Sequence, residues 1–261
     1  MLQLRLGIRL ASLRLSFPRA LACATQLGGQ VVEIDGRGEI KPHDLTQTAT
    51  RQLRKMLEDR NLRACAVEFR TRRGYNVRDD LERRIDATKQ AMTMAYALGA
   101  RVVVNQVGRI PPEPEGPEWE LLVETLSELG RHGQRCGAIL AAQTGAESGQ
   151  DLARLLDALP EGALGVAFDP GALVVNGFSP SEAMAALSAN VVHVYATDAV
   201  RDLAKGRGVE TLLGEGTADY PELLGMLEER AYQGCLVVDA IGTQDPAFEM
   251  QQAIAYLKQL M

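Results

Sequence analysis

The segment Leu164–Gly177, LGVAFDPGALVVNG, decides how this chain is read. Val166, Ala167 and Phe168 form a short apolar run suited to a strand buried on both faces, and Pro170-Gly171 stops it at once. Asp169 therefore stands at the carboxyl end of a buried strand. A carboxylate there costs several kcal/mol to desolvate unless it meets a cation or hydrogen-bond donors. Two readings follow: Asp169 caps the turn that opens at Pro170, or it is an active-site acid at the mouth of a barrel.

The same layout recurs on both sides of this segment. Strand-like runs lie at Leu6–Leu13, Val31–Gly36, Arg63–Arg70, Arg101–Gly108, Ala138–Gly145, Leu164–Gly171, Asn190–Ala199 and Cys235–Gly242. Helical patterns separate them, among them Phe17–Leu27, Asp44–Arg60, Asp79–Leu98, Pro117–Cys136, Gln150–Leu159, Ser181–Ser188, Tyr220–Ala231 and Pro246–Leu260. Strands alternating with helices imply βαβ units and a parallel sheet. Eight of them predict a single (β/α)8 TIM barrel with residues 1–261 as one domain, and no GxGxxG follows the first strand to suggest a dinucleotide fold. The Arg-rich, acid-free start can mimic a targeting peptide, but its removal would delete the first strand, so it is read as structure. The loops after strands 3, 4 and 7 (Thr71–Arg78, Arg109–Gly116 and Val200–Asp219) are long and polar, as the catalytic rim of such barrels requires.

Bulk composition narrows the function. Apolar residues make up 46% of the 261, enough for a substantial core, and the net charge of −6 speaks against a nucleic-acid partner. The four cysteines Cys23, Cys65, Cys136 and Cys235 form no CxxC pair, which fits reduced thiols and a cytoplasmic protein. No apolar run reaches the roughly 18 residues of a membrane helix.

Several motifs, taken in order, resemble the xylose isomerase-like barrel superfamily of sugar isomerases and epimerases. They are VVEIDG (Val31–Gly36), ALGAR (Ala97–Arg101), AFDPG (Ala167–Gly171), HVYATDA (His193–Ala199), LGEGTADYPELL (Leu213–Leu224) and YQGCLVVD (Tyr232–Asp239). The resemblance implies a divalent ion held by a Glu ending strand 5, an Asp ending strand 6, a His on strand 7 and a Glu ending strand 8. Those places hold Gln143, Asp169, Tyr195 and Asp239 here. Hard ions such as Mg²⁺ or Mn²⁺ favour anionic oxygens, and a phenol with a pKa near 10 is a poor ligand, so a weakened or lost metal site is expected.

The family moves a proton between adjacent sugar carbons with two carboxylates. Gln143 carries no titratable proton, so Asp239 is expected to act with Glu147 or Glu68 on the other side. Arg9, Arg37, Arg70 and Arg201 lie at strand ends or in the loops beyond. With Asn105, Gln143 and His193 they are expected to bind a small carbohydrate, its anion or its phosphate, Arg9, Arg37 and Arg70 converging on the charge. The resemblance therefore implies a sugar or sugar phosphate isomerase or epimerase. The alternative is a non-catalytic barrel that binds a sugar or anionic metabolite. An apurinic-endonuclease-like hydrolase would need several zinc-binding histidines, and this chain has three histidines in all. Neither a nucleic acid nor a membrane is expected as a partner, and the sequence is compatible with a homo-oligomer.

Overall fold

The computed structural model describes residues 4–202, 207–240 and 243–261. In chain order the strands are β1 (Arg5–Arg9), β2 (Val31–Asp35), β3 (Arg63–Glu68), β4 (Val102–Asn105), β5 (Ile139–Gln143), β6 (Gly165–Phe168), β7 (Val191–Ala196), β8 (Asp198–Asp202), β9 (Arg207–Thr211) and β10 (Cys235–Val238). The helices are α1 (Phe17–Gln26), α2 (Gln47–Glu58), α3 (Leu81–Leu98), α4 (Pro117–Cys136), α5 (Gly149–Asp157), α6 (Pro170–Val175), α7 (Pro180–Leu187), α8 (Tyr220–Glu229) and α9 (Pro246–Leu260). Eight strands, β1 to β7 and β10, close into one parallel barrel, with β1 pairing β2 on one side and β10 on the other. The fold is a (β/α)8 TIM barrel.

Period-two alternation divides each strand between two cores. Ile8, Ile34, Val67, Val103, Leu140, Phe168 and Leu236 face outward under the helices. Val31, Ala66, Val104, Ala141, Ala167, Tyr195 and Val237 fill the barrel interior. The lower interior has little room to spare: a Cβ on Gly165 would come within 2.6 Å of a Val192 methyl, and one on Gly7 within 2.9 Å of Val237. Apart from a largely buried cluster of Cys65, His193 and Cys235, polar side chains of the interior gather towards the carboxyl ends of the strands, where Arg9 and Glu68 stand.

Four departures from the sequence-based expectation shape that rim. The first strand ends at Arg9, and Leu10–Leu13 forms a 3-10 turn that buries Leu10 and Leu13 at a three-residue spacing. Pro170-Gly171 ends β6 but opens a short helix, α6, whose N-cap is Asp169. The polar loop Val200–Asp219 contains an antiparallel hairpin of β8 and β9, in register from Asp198↔Thr211 to Asp202↔Arg207. The last barrel strand ends at Val238; positions 241 and 242 of its expected span lie outside the described residues. No helix among the described residues is long and apolar enough to cross a membrane.

Candidate active site

At the mouth, one cation is ringed by three acids. Arg9 Nη1 donates to Asp239 Oδ2 at 2.5 Å, Nη2 donates to Glu68 Oε2 at 2.5 Å, and Nε lies 3.3 Å from Glu33 Oε1. The three carboxylates belong to β2, β3 and the end of β10, so Arg9 bridges the barrel across its closure. Burial favours the neutral guanidine, but Asp239, Glu33 and Glu68 hold Arg9 firmly cationic. Ser12, from the 3-10 turn after β1, donates to the second oxygen of Asp239. Arg70 pairs through Nε with the second oxygen of Glu68 and places Nη2 3.4 Å from Gln143 Oε1.

Asp169 is the second organising acid. Its Oδ1 accepts from Thr197 Oγ1 at 2.6 Å and from the backbone N–H of Ala172 at 3.0 Å, and its Oδ2 accepts from Gln143 Nε2 at 2.8 Å. Burial nevertheless pushes its pKa up, with Asp239 adding to the effect. The helix-capping reading is thus realised, in a side chain that also stands in the polar network of the mouth.

A third acid secures the hairpin above. Asp198 accepts from the backbone N–H groups of Ala199, Gly214, Gly216 and Ala218 at 2.8–3.1 Å. This explains why Gly214-Glu215-Gly216 accompanies Thr197-Asp198 in the sequence: a Cβ on Gly216 would collide with the Asp198 carboxylate. Glu210, on β9, lines a cavity of about 300 Å³ with Thr197 and Asp239. Its carboxyl pKa is raised by burial and by the charges of Asp169 and Asp239. Sequence reading passed over Glu210 because its strand sits within a loop.

Beneath the Arg9 ring lies a closed layer. Tyr195 donates its hydroxyl to Glu33 Oε2 at 2.9 Å, and His193 Nε2 lies 3.0 Å from the same oxygen. Burial pushes the His193 pKa down, but Cys235 and Glu33 hold it up at about 10. Glu33 stays low despite its burial because His193, Arg9 and Tyr195 all favour its anion. Cys65, His193 and Cys235 place their ligating atoms within 4.8 Å of one another, and among the described residues no other such group of three could share an ion. The Cys235 thiol is lowered to about 5 by its contacts with Cys65 and His193, which outweigh burial.

The sequence-predicted residues thus separate. Arg9, Glu68, Arg70, Gln143, Asp169 and Asp239 form one connected network. His193 lies sealed below it at 0% exposure. Asn105, also at 0%, bonds to Tyr75 and Thr71 and braces the loop after β3. Arg201 clips the hairpin to the Gly177 carbonyl, and Arg37 stacks on Phe69 at 4.6 Å in a separate cavity. The expected convergence of Arg9, Arg37 and Arg70 on one anion is replaced by pairing of Arg9 and Arg70 with internal acids. Glu147 shares a cavity of about 370 Å³ with Gln143; one of its oxygens is buried without a partner, and burial together with Asp151 raises its pKa to about 7.

The model of the xylose isomerase-like TIM barrel family matches residues 21–260. The chain belongs to that family. An inosose dehydratase of Clostridium beijerinckii is 25% identical over 225 residues, which cover 75% of this chain and 74% of that protein. The fold is shared with a xylose isomerase domain protein from Planctomyces limnophilus (TM-score 0.83, 21% identity, 92% of this chain and 91% of that one). It is shared also with a xylose isomerase-like TIM barrel protein from Mycobacterium smegmatis in complex with magnesium (TM-score 0.76, 19% identity, 94% and 87%).

At the four places where the family resemblance implies metal ligands, the side chains are engaged with protein groups. Both Asp239 oxygens are taken by Arg9 and Ser12, and both Asp169 oxygens by Thr197, Ala172 and Gln143. The Tyr195 hydroxyl faces Glu33, and Gln143 is held between Asp169 and Arg70.

Proposed function

We propose that this chain is a sugar-modifying enzyme that removes a proton from a carbon next to a carbonyl, and that it does so without a hard divalent ion at the four family places. The donor set there is a poor fit for Mg²⁺ or Mn²⁺. It offers two carboxylates already saturated by donors, one amide and one phenol. Arg9 supplies the fixed positive charge that keeps Asp239, Glu68 and Glu33 together.

The observation that supports this reading best is Glu147. Asp239 and Glu68 are committed to ion pairs with Arg9 and Arg70, whereas Glu147 has a buried, unpartnered oxygen and a pKa of about 7. A carboxyl poised near the working pH suits general acid–base chemistry. Glu147 follows the same strand as Gln143, and Glu210 approaches Asp239 from the hairpin with its own pKa raised. In this scheme Glu147 breaks the C–H bond and takes the proton, and Arg70 and the Gln143 amide donate to the oxygen that becomes enolate. Glu210 delivers a proton from the other side. Delivery of that proton to the same carbon from the opposite face gives epimerisation. Delivery to the former carbonyl carbon gives isomerisation, the adjacent hydroxyl losing its proton to the former carbonyl oxygen and becoming the new carbonyl.

A second outcome is favoured by the relative named inosose dehydratase and by Gln143, which leaves no carboxyl at the end of β5. There the proton goes to the neighbouring hydroxyl, the C–O bond breaks, a C=C bond forms and water departs. Incubation with inosose and with ketohexoses in deuterated water tests both routes by NMR. Deuterium at the carbon beside the carbonyl supports epimerisation, and an enone product supports dehydration. If no substrate exchanges a proton, the catalytic reading fails and a sugar-binding barrel remains.

A further inference from the structure

Beside the mouth but outside its Arg9 network, between the connection that follows β2, the loop that follows β3 and the amino-terminal half of α3, lies a cavity of about 680 Å³ whose walls are strongly basic. The whole chain carries a net charge of −6, yet Arg37, Lys41, Arg72, Arg83 and Arg84 all line this one space. Asp80 is the acid among the lining residues. Arg73 also lines it but is paired with Asp79 at 2.5 Å.

The five other cations have no carboxylate partner among the described residues. The side chains of Lys41, Arg72 and Arg83 make no hydrogen bond or ion pair with the described residues, and Arg37 is positioned by the Phe69 ring. Arg84 is the informative one. It is 8% exposed, and its guanidinium donates to the carbonyls of Gly74, Val77 and Asp79. Those bonds hold it in place without neutralising it, and its Nε is buried with no partner. Next to it Asp80 is held at φ +52, a conformation that non-glycine residues rarely adopt. Gathering like charges in a partly closed space is unfavourable unless an anion joins them.

We propose that this cavity is a second ligand site, separate from the barrel mouth, that takes a small molecule bearing two or more phosphate charges. One phosphate would leave most of the five cations uncompensated, while guanidinium groups bind phosphate oxygens in bidentate fashion. The volume lies in the range of small-molecule pockets, too large for a single phosphate. The proposal does not depend on the catalytic reading, since none of these five residues belongs to the mouth network.

Titration calorimetry of the full chain with inorganic pyrophosphate and tripolyphosphate tests it. One site per chain is expected, with pyrophosphate bound at least about tenfold more tightly than orthophosphate, a difference of about 1.4 kcal/mol. Arg83→Glu, and separately Arg72→Ala, should each weaken pyrophosphate roughly tenfold or more, while Arg70→Ala at the mouth leaves it in place. Because the Arg72 and Arg83 side chains have no partner among the described residues, both variants should melt no lower than the parent, which separates lost binding from lost folding. Three results would overturn the assignment: no heat with either polyphosphate, loss of binding in Arg70→Ala but not in Arg83→Glu, or an equal loss in Arg131→Glu on α4.

Discussion

Arg9 Nη1 lies 2.5 Å from Asp239 Oδ2, and this single contact joins the first strand to the end of the last across 230 residues of chain. The same guanidinium holds Glu68 and approaches Glu33, so the seam that closes the barrel is also the electrostatic centre of its mouth. A fixed internal cation stands among acids that would otherwise repel one another. Its position makes the site dependent on barrel closure, and barrel closure dependent on the charge.

Replacing Arg9 by Met should therefore destabilise the protein by about 3–5 kcal/mol, because it strands buried carboxylates rather than merely removing a contact. Urea denaturation at pH 7.5 measures this. Arg9→Met should recover part of the loss as the pH falls and the carboxyls protonate. A variant as stable as the parent at both pH values would mean that the three acids do not depend on Arg9.

Mn²⁺ should bind the unmodified protein weakly or not at all by calorimetry, since the oxygens at the family places already have protein donors. Changing Gln143→Glu, Tyr195→His and Asp239→Glu together, with Arg9→Ser to free the acids, should create a measurable site, because ligand charge tunes affinity. Tight Mn²⁺ binding by the parent chain would reverse this view of the mouth.

Glu147→Gln should lower kcat by about a hundredfold or more if Glu147 is the base, with a smaller effect on KM. The same substitution has a stability signature whose sign follows from linkage. Glu147 has a folded pKa of about 7, above the ordinary carboxyl value of 4.5. Its contribution to stability is most favourable below pH 4.5 and is lost as the pH rises to about 7. Glu147→Gln should consequently raise the melting temperature at pH 8 and change it little at pH 4.5. Equal shifts at both pH values would show that Glu147 titrates normally.

Asp198→Ala should unfasten the hairpin. It removes the acceptor for four backbone N–H groups and should cost on the order of 3 kcal/mol or more. Limited proteolysis should then cut first within the segment from β8 to Asp219. Cleavage elsewhere, with this segment intact, would mean that other contacts hold the hairpin.

The barrel was legible because its determinants are local and repeated. Apolar runs of strand length, proline- and glycine-marked breaks, and helices such as Pro117–Cys136 and Pro246–Leu260 each declare themselves over a few residues. Asp169 could be placed at a strand end for the same reason. Two local features escaped notice: α6 is too short for a helical period to show, and β8–β9 lies in a segment whose polarity reads as loop.

The sequence by itself determined the cylinder, the strand ends that form its rim and the kinds of side chain found there. Only the tertiary structure decided which acid met which cation. Arg9, Glu68 and Asp239 are equally plausible as free site residues in one dimension. Barrel closure brings them within hydrogen-bond range of one another, and the cost of burying unpaired charge forces them to pair. Arg37 points to a different cavity and His193 lies below the mouth because strand register and side-chain parity, set by pairing with distant strands, assign each side chain its level and its face.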